Sequence, residues 1–278
     1  MSFVSGLCYT LLYAIIFIEQ TLSKGGFYKM EDMYKYLSRV VHDIRTPMST
    51  IIGMTEVARS SINDTAKIQG CLDKINISSN YLMTLINEII DMSKIKTSHF
   101  SLNKENFNLY DMISDIVLLI KPQTDLKNQS LTVNISDIKH ADVIGDSRRL
   151  QQCFLNFVTN SVKYTQNNGS INISVFEEPK QCSYSSVYKF VFEDNGRGMN
   201  PEFINHIFEP FSREFRVLPE CSEEMRKSSY GCEIPGSGLG MSIAHSIVQM
   251  MGGSIDIVSK PDIGSRFTVT LNMKWQNL

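Results

Sequence analysis

The sequence predicts an α + α/β chain: an antiparallel helical hairpin, a four-helix bundle once dimerised, followed by an α/β sandwich with one helical layer. Three observations carry this. Apolar residues recur at three- and four-residue spacing through the first third of the chain. After about residue 100, short segments of alternating apolar and polar residues take over. Helical stretches interrupt those segments without strict strand–helix alternation, which favours a sandwich over a doubly wound parallel sheet.

Composition bounds the rest. The 278 residues suffice for one large domain or two modest ones, and 42% apolar against 20% charged residues marks a globular chain. A formal net charge of -2 argues against a nucleic-acid partner, which would show as a basic excess. Cys8, Cys71, Cys153, Cys182, Cys221 and Cys232 form no C-x-x-C pair and no metal-ligand spacing. Neither a disulfide framework nor a zinc site is expected, and a reducing cytosol suits the soluble part.

Met1 to Ile18 carries no charge, and as a helix it would run about 27 Å, just short of a bilayer's hydrocarbon core. Lys24, Lys29, Lys35 and Arg39 follow as a positive flank that would hold the C-terminal side in the cytoplasm. A buried core helix and a signal peptide are the alternatives; the latter lacks a basic start and a small-x-small cleavage site. The preferred reading is a membrane anchor over residues 1–20 and a linker helix over 21–33, with no extracellular sensing domain before them.

Met30, Met33, Leu37, Val40 and Ile44 then form a helical seam that continues through Met48, Ile51, Ile52 and Val57. The polar run from Arg59 to Asp64 breaks it, and Ile68, Leu72, Ile75, Leu82, Ile86 and Ile89 begin a second helix. One hairpin buries its faces poorly, so pairing about a twofold axis is expected; packing on the chain's own C-terminal domain is the alternative. Further on, strands are expected around 131–135, 171–175, 188–192, 255–257 and 267–271. Helices are expected near 109–120, 147–164 and 239–251, with Asp146 as N-cap of the middle one.

His42 falls nearly opposite the first seam on a helical wheel, with Thr46 one turn on along the same outer face and Asp43 beside it. A neutral imidazole is a competent nucleophile, and a neighbouring carboxylate can orient it. A lone surface histidine is commonplace; Pro47, a helix breaker costing roughly 3 kcal/mol inside the seam, argues for a reason. In the 147–164 helix, Asn156, Asn160 and Lys163 make one polar stripe, and Leu155, Val158 and Val162 an apolar one that can face a sheet. Two carboxamides and an ammonium suit a magnesium triphosphate, although a plain solvated face is the alternative. Asp194, Gly196 and Gly198 follow a strand, where the carboxylate can accept a hydrogen bond from an exocyclic amine; a simple tight turn explains them nearly as well. Gly236, Gly238 and Gly240 open a helix and expose backbone N–H groups toward a phosphate. The polar stretch of 24 residues between Phe211 and Gly236 reads as a lid, with Arg213, Arg216, Arg226 and Lys227 able to reach phosphates, or else as a disordered insert.

Taken in order, these segments resemble sensor histidine kinases. His42-Asp43-Ile44-Arg45-Thr46-Pro47 resembles the H-box, and Leu155 to Thr165 the N-box. Asp194-Asn195-Gly196-Arg197-Gly198 is similar to the first glycine box, Ile207-Phe208-Glu209-Pro210-Phe211 to the F-box, and Gly236-Ser237-Gly238-Leu239-Gly240 to the second glycine box. The resemblance covers about residues 34–273. It implies a dimerisation and histidine-phosphotransfer (HisKA-type) domain over 34–99 and a catalytic ATP-binding domain of the gyrase, chaperone and kinase (GHKL) type over 100–278. By it, His42 takes the γ-phosphoryl group of ATP aided by Asp43, and Thr46 positions water for dephosphorylating the partner. Asn160 binds Mg²⁺, Asn156 and Lys163 meet the phosphates, and Asp194 reads the adenine amine. Gly196, Gly198 and Phe208 complete the nucleotide site, and Gly236, Gly238 and Gly240 hinge the lid. The partners implied are a second copy of the chain and a response regulator receiver domain on a separate chain. The lid exceeds the usual family pattern. Two other readings stand beside this one: a degenerate scaffold without chemistry, and an ATPase of the same class without phosphotransfer, which would not need the His42 hairpin.

Overall fold

The structure is a computed structural model that describes residues 30–96, 101–179, 184–214 and 236–275. It divides into two compact units, Met1–Phe100 and Ser101–Leu278. The expected anchor and the start of the linker helix lie outside the described residues, as do residues 215–235 of the expected lid. Among the described residues no helix is long and apolar enough to cross a membrane.

The first unit is a hairpin of α1 (Met30–Ser60) and α2 (Thr65–Lys96). The reversal is a tight turn in which the Asp64 N–H donates to the Ser61 carbonyl at 2.9 Å. The Asp64 carboxylate in turn accepts from the Lys67 N–H at 3.0 Å, capping α2. Val40 and Ile44 of α1 are buried, as are Cys71, Leu82, Leu85, Ile89 and Met92 of α2. Two members of the expected seam depart from it, since Ile52 is 55% and Leu72 is 50% exposed. A lone pair of helices covers one stripe of each, and in α2 that stripe takes Cys71 in place of its neighbour. Pro47 is buried on the seam side, and α1 continues through it.

The second unit stacks three helices on one sheet. Its elements are β1 (Glu105–Asn108), α3 (Leu109–Leu126), β2 (Ser130–Asp137), β3 (Asp142–Gly145), α4 (Ser147–Tyr164), β4 (Ser170–Pro179), β5 (Ser185–Asp194), α5 (Pro201–Ile204), α6 (Gly240–Met250), β6 (Ser254–Lys260) and β7 (Gly264–Trp275). The sheet order is β1-β3-β7-β5-β4-β2, with β6 also on β7. Among the described residues only β2 and β4 run parallel; the other pairs are antiparallel. Strict alternation along β5 sends Tyr188, Phe190 and Phe192 toward the helices, where Val269 and Leu271 of β7 join them. Phe154 of α4 meets Phe190 and Phe192 at ring-centroid distances of 4.6 and 5.1 Å, and Phe157 meets Phe192 and Phe267 at 5.4 and 5.2 Å. Each such side chain contributes roughly 1.5–3 kcal/mol by leaving water. Leu155, expected on that stripe, is only half-buried; the two phenylalanines hold the sheet-facing position. β1 and β3 were not foreseen, because four residues are too few to show alternation. α3 runs six residues beyond the expected 120, through Pro122; Leu118, whose carbonyl Pro122 cannot bond, is 68% exposed, so water can serve that carbonyl.

Candidate functional site

The polar stripe of α4 stands at the end of the sheet where β5 terminates. Asp146 starts the helix, its carboxylate accepting from the Arg149 N–H at 3.0 Å. One turn after another, Asn156, Asn160 and Lys163 emerge half-buried on one face. The Asn156 amide nitrogen donates to the Gly240 carbonyl at 3.0 Å, binding α4 to the start of α6. The Lys163 ammonium lies beside Gly236, 2.6 Å from where a Cβ would stand, and 4.8 Å from the centroid of the Tyr164 ring. The Arg197 guanidinium also approaches that ring, at 4.5 Å. No described residue hydrogen-bonds the Asn160 carboxamide, which leaves its oxygen available to a ligand.

Asp194 ends β5 and is buried. Burial pushes its carboxyl above the usual carboxylate range, against the opposing pull of hydrogen bonds from the Gly196 N–H and the Ser161 hydroxyl, each at 3.0 Å. The Ser265 backbone bonds the same carboxylate, which as an acceptor of about four hydrogen bonds retains a place for an amine supplied by a ligand. Gly198 makes the turn at φ +57°, where a Cβ would run into the Lys260 carbonyl oxygen. The F-box and the second glycine box meet directly. Phe211 (φ 63°) donates its N–H to the Gly238 carbonyl at 2.9 Å, and Gly238 itself sits at φ +75°. Phe208 stacks on His245 of α6 with ring centroids 4.4 Å apart.

On the hairpin, His42 and Thr46 are exposed on α1. The His42 side chain is 46% accessible, with Nδ1 3.3 Å from Asp43 Oδ1. The Thr46 hydroxyl donates back to the His42 carbonyl at 3.3 Å. Pro47 withholds the N–H that would otherwise bond the carbonyl of Asp43, four residues earlier.

Sequence reasoning gathered the glycines, the α4 stripe and Asp194, yet passed over Ser161, Tyr164 and Arg197. All three lie inside the quoted boxes. Ser161 directly follows Asn160, and an aromatic beside Lys163 was the signal for a cation–π contact. Among the described residues no three His, Cys, Asp or Glu side chains cluster as metal ligands. A metal here would rest on the Asn160 amide oxygen and on the oxygens of a bound phosphate, a donor set that suits Mg²⁺.

Both units match known families. Residues 33–98 match the family described as "His Kinase A (phospho-acceptor) domain", and residues 145–274 match "Histidine kinase-, DNA gyrase B-, and HSP90-like ATPase". The chain is 32% identical over 237 residues to hybrid signal transduction histidine kinase B of Dictyostelium discoideum, covering 85% of this chain and 11% of that protein. It is 29% identical over 236 residues to the autoinducer 2 sensor kinase/phosphatase LuxQ of Vibrio vulnificus, covering 85% of this chain and 26% of that one. The chain thus spans about a quarter or less of the length of these curated relatives. In fold it resembles histidine kinase ThkA, solved in complex with response regulator protein TrrA, with a TM-score of 0.60 and 23% identity over 92% of this chain and 64% of that one. With a phospho-acceptor hairpin followed by an ATPase-type sandwich, the chain belongs to the histidine kinases.

Proposed function

We propose that this protein autophosphorylates His42 from Mg-ATP and passes the phosphoryl group to an aspartate of a response regulator receiver domain. The observation that carries the reading is the α4 stripe of Asn156, Asn160 and Lys163 beside the buried Asp194. Asp194 would take the adenine amine and Lys163 the phosphates, and Asn160 would hold Mg²⁺. The ion supplies neutralisation of charge on the phosphate oxygens.

In the transfer step an imidazole nitrogen of His42 attacks the γ-phosphorus, the bond to the bridging oxygen breaks, and ADP leaves. Asp43 stabilises the charge that develops on the ring. Thr46 would position water to hydrolyse the regulator's aspartyl phosphate, releasing inorganic phosphate and the free carboxylate; the kinase/phosphatase name of LuxQ is in keeping with that. ThkA's complex with TrrA supports a receiver domain as acceptor. Exposed Ile52, Leu72, Met83 and Ile90 support a homodimer in which two hairpins form a four-helix bundle. Domain limits of 34–99 and 100–278 are part of the proposal, as is an anchor over residues 1–20 that places the rest at the cytoplasmic side of the membrane; the anchor rests on sequence pattern.

The test is incubation with γ-labelled Mg-ATP. Wild type should acquire an acid-labile, base-stable phosphoryl group, and His42→Ala none, while its affinity for nucleotide stays within about twofold. Labelling of the His42→Ala protein would remove His42 from its role.

A further inference from the structure

We infer that Lys127 is a positioning residue for the nucleotide site, a role that rests on the proposed nucleotide reading of α4. Lys127 follows the last residue of α3, and its ammonium is seated on the carboxyl end of α4. It donates to the carbonyls of Val162 at 2.8 Å, Lys163 at 3.1 Å and Thr165 at 3.1 Å. An ammonium has three protons, and all three are used. Two residues on, the Gln129 amide donates to Val162 at 3.1 Å, Thr165 at 2.9 Å and Gln166 at 3.3 Å. Asn128 between them adopts a left-handed backbone (φ 51°), which turns the chain so that both side chains reach the same helix end.

The last turn of an α-helix leaves its carbonyls without intrahelical donors and carries the negative end of the helix dipole. Here every one of those groups has a partner. The Ser161 carbonyl is bonded by the Thr165 N–H and the Tyr164 carbonyl by the Arg197 N–H; Val162 and Lys163 are held by the clasp. The clasped residues are those of the site. Lys163 bears the ammonium beside Gly236, Tyr164 bears the ring that two cations approach, and the Tyr164 carbonyl holds the backbone of Arg197 in the first glycine box. Lys127 touches no ligand in this scheme. It acts through the backbone of Lys163: without a cation there, the final turn exchanges fixed donors for water, and Lys163 and Tyr164 lose their placement. Burial lowers the pKa of Lys127, and the ring of carbonyls explains why a half-buried site tolerates the charge.

The full chain, as wild type and as Lys127→Met, Lys127→Gln and Lys127→Arg, is titrated with a fluorescent ATP analogue in the presence of Mg²⁺. Autophosphorylation kinetics and thermal melting are recorded in parallel. Lys127→Met should raise Kd and KM for nucleotide about tenfold, Lys127→Gln about threefold, and Lys127→Arg should restore both to within about twofold of wild type. A merely structural role would instead lower the melting temperature and the active fraction, hence kcat, and leave KM in place; that pattern overturns the inference. Should Lys127→Met not fold, Lys127→Gln decides, and an unchanged Kd overturns it too. Wild type failing to bind the analogue would refute the nucleotide reading itself, a result distinct from wild type binding and all variants matching it.

Discussion

The Ser161 hydroxyl donates a 3.0 Å hydrogen bond to Asp194 Oδ2, tying the last turn of α4 to the end of β5. The other carboxylate oxygen accepts from the Gly196 N–H at 3.0 Å. A buried carboxylate served by these donors is held at a cost to the fold, as expected where a group is kept ready for a ligand.

Asp194→Asn should therefore separate binding from stability. Nucleotide affinity should fall at least tenfold, since one hydrogen bond to a charged group is worth about 1.5–3 kcal/mol. Because burial raises the folded-state pKa of Asp194, its contribution to stability is full below the ordinary carboxylate value and lost as pH rises through the raised one. The melting temperature of the ligand-free variant, less that of wild type, should accordingly climb between pH 4 and pH 7. A difference that shrinks with rising pH would show that the carboxylate stabilises the site.

Glu177 behaves with the opposite sign. Burial pushes its carboxyl up, but hydrogen bonds from the Ser186 hydroxyl, the His140 ring and the His140 and Lys139 N–H groups outweigh that and leave it below the usual range. Stability from this group is present above the ordinary value and lost as pH falls through the depressed one. Glu177→Gln should cost roughly 1.5–3 kcal/mol at pH 7 and make acid unfolding less steep, as read by chemical denaturation at pH 7 and pH 4. Equal losses at both pH values would contradict the assignment.

Gly238→Ala should loosen the joint between the F-box and the second glycine box. At φ +75° a side chain costs about 1–2 kcal/mol, and here the new Cβ would also stand 2.8 Å from the backbone of Phe211. A lower melting temperature together with weaker nucleotide binding is expected; an unaltered melting curve would mean that the bridge relaxes freely.

Thr46→Ala should leave the hairpin intact, since Thr46 is exposed and its one hydrogen bond runs back along its own helix. Alanine is also the better helix former, by up to about 0.7 kcal/mol. Autophosphorylation should persist while dephosphorylation of a phosphorylated regulator drops at least tenfold. Parallel loss of both rates would point to distortion of α1.

Periodicity was enough to place long elements and to show which side chains of α4 share a face, because a helix repeats every 3.6 residues whatever surrounds it. That is why Asn156, Asn160 and Lys163 could be aligned, and why His42 could be set opposite Val40 and Ile44. Periodicity was not enough to choose between near neighbours. Cys71 rather than Leu72, and Phe154 with Phe157 rather than Leu155, take the buried positions, because each helix is rotated by what it packs against. The short strands β1 and β3 exist only through their pairing: Phe107 lies opposite Val143, and Ile144 opposite Lys274.

What the sequence determined by itself is therefore local: helix and strand periods, the polar stripe, the outward imidazole and the turns that demand glycine. Tertiary structure alone decided which of these meet. Asn156 reaches Gly240 across 84 residues and Lys127 grips Lys163 across 36, and neither partner carries a mark of the other. The reason is physical: a hydrogen bond between distant segments depends on how the apolar faces of α4 and α6 settle on the sheet, and that packing belongs to the whole domain.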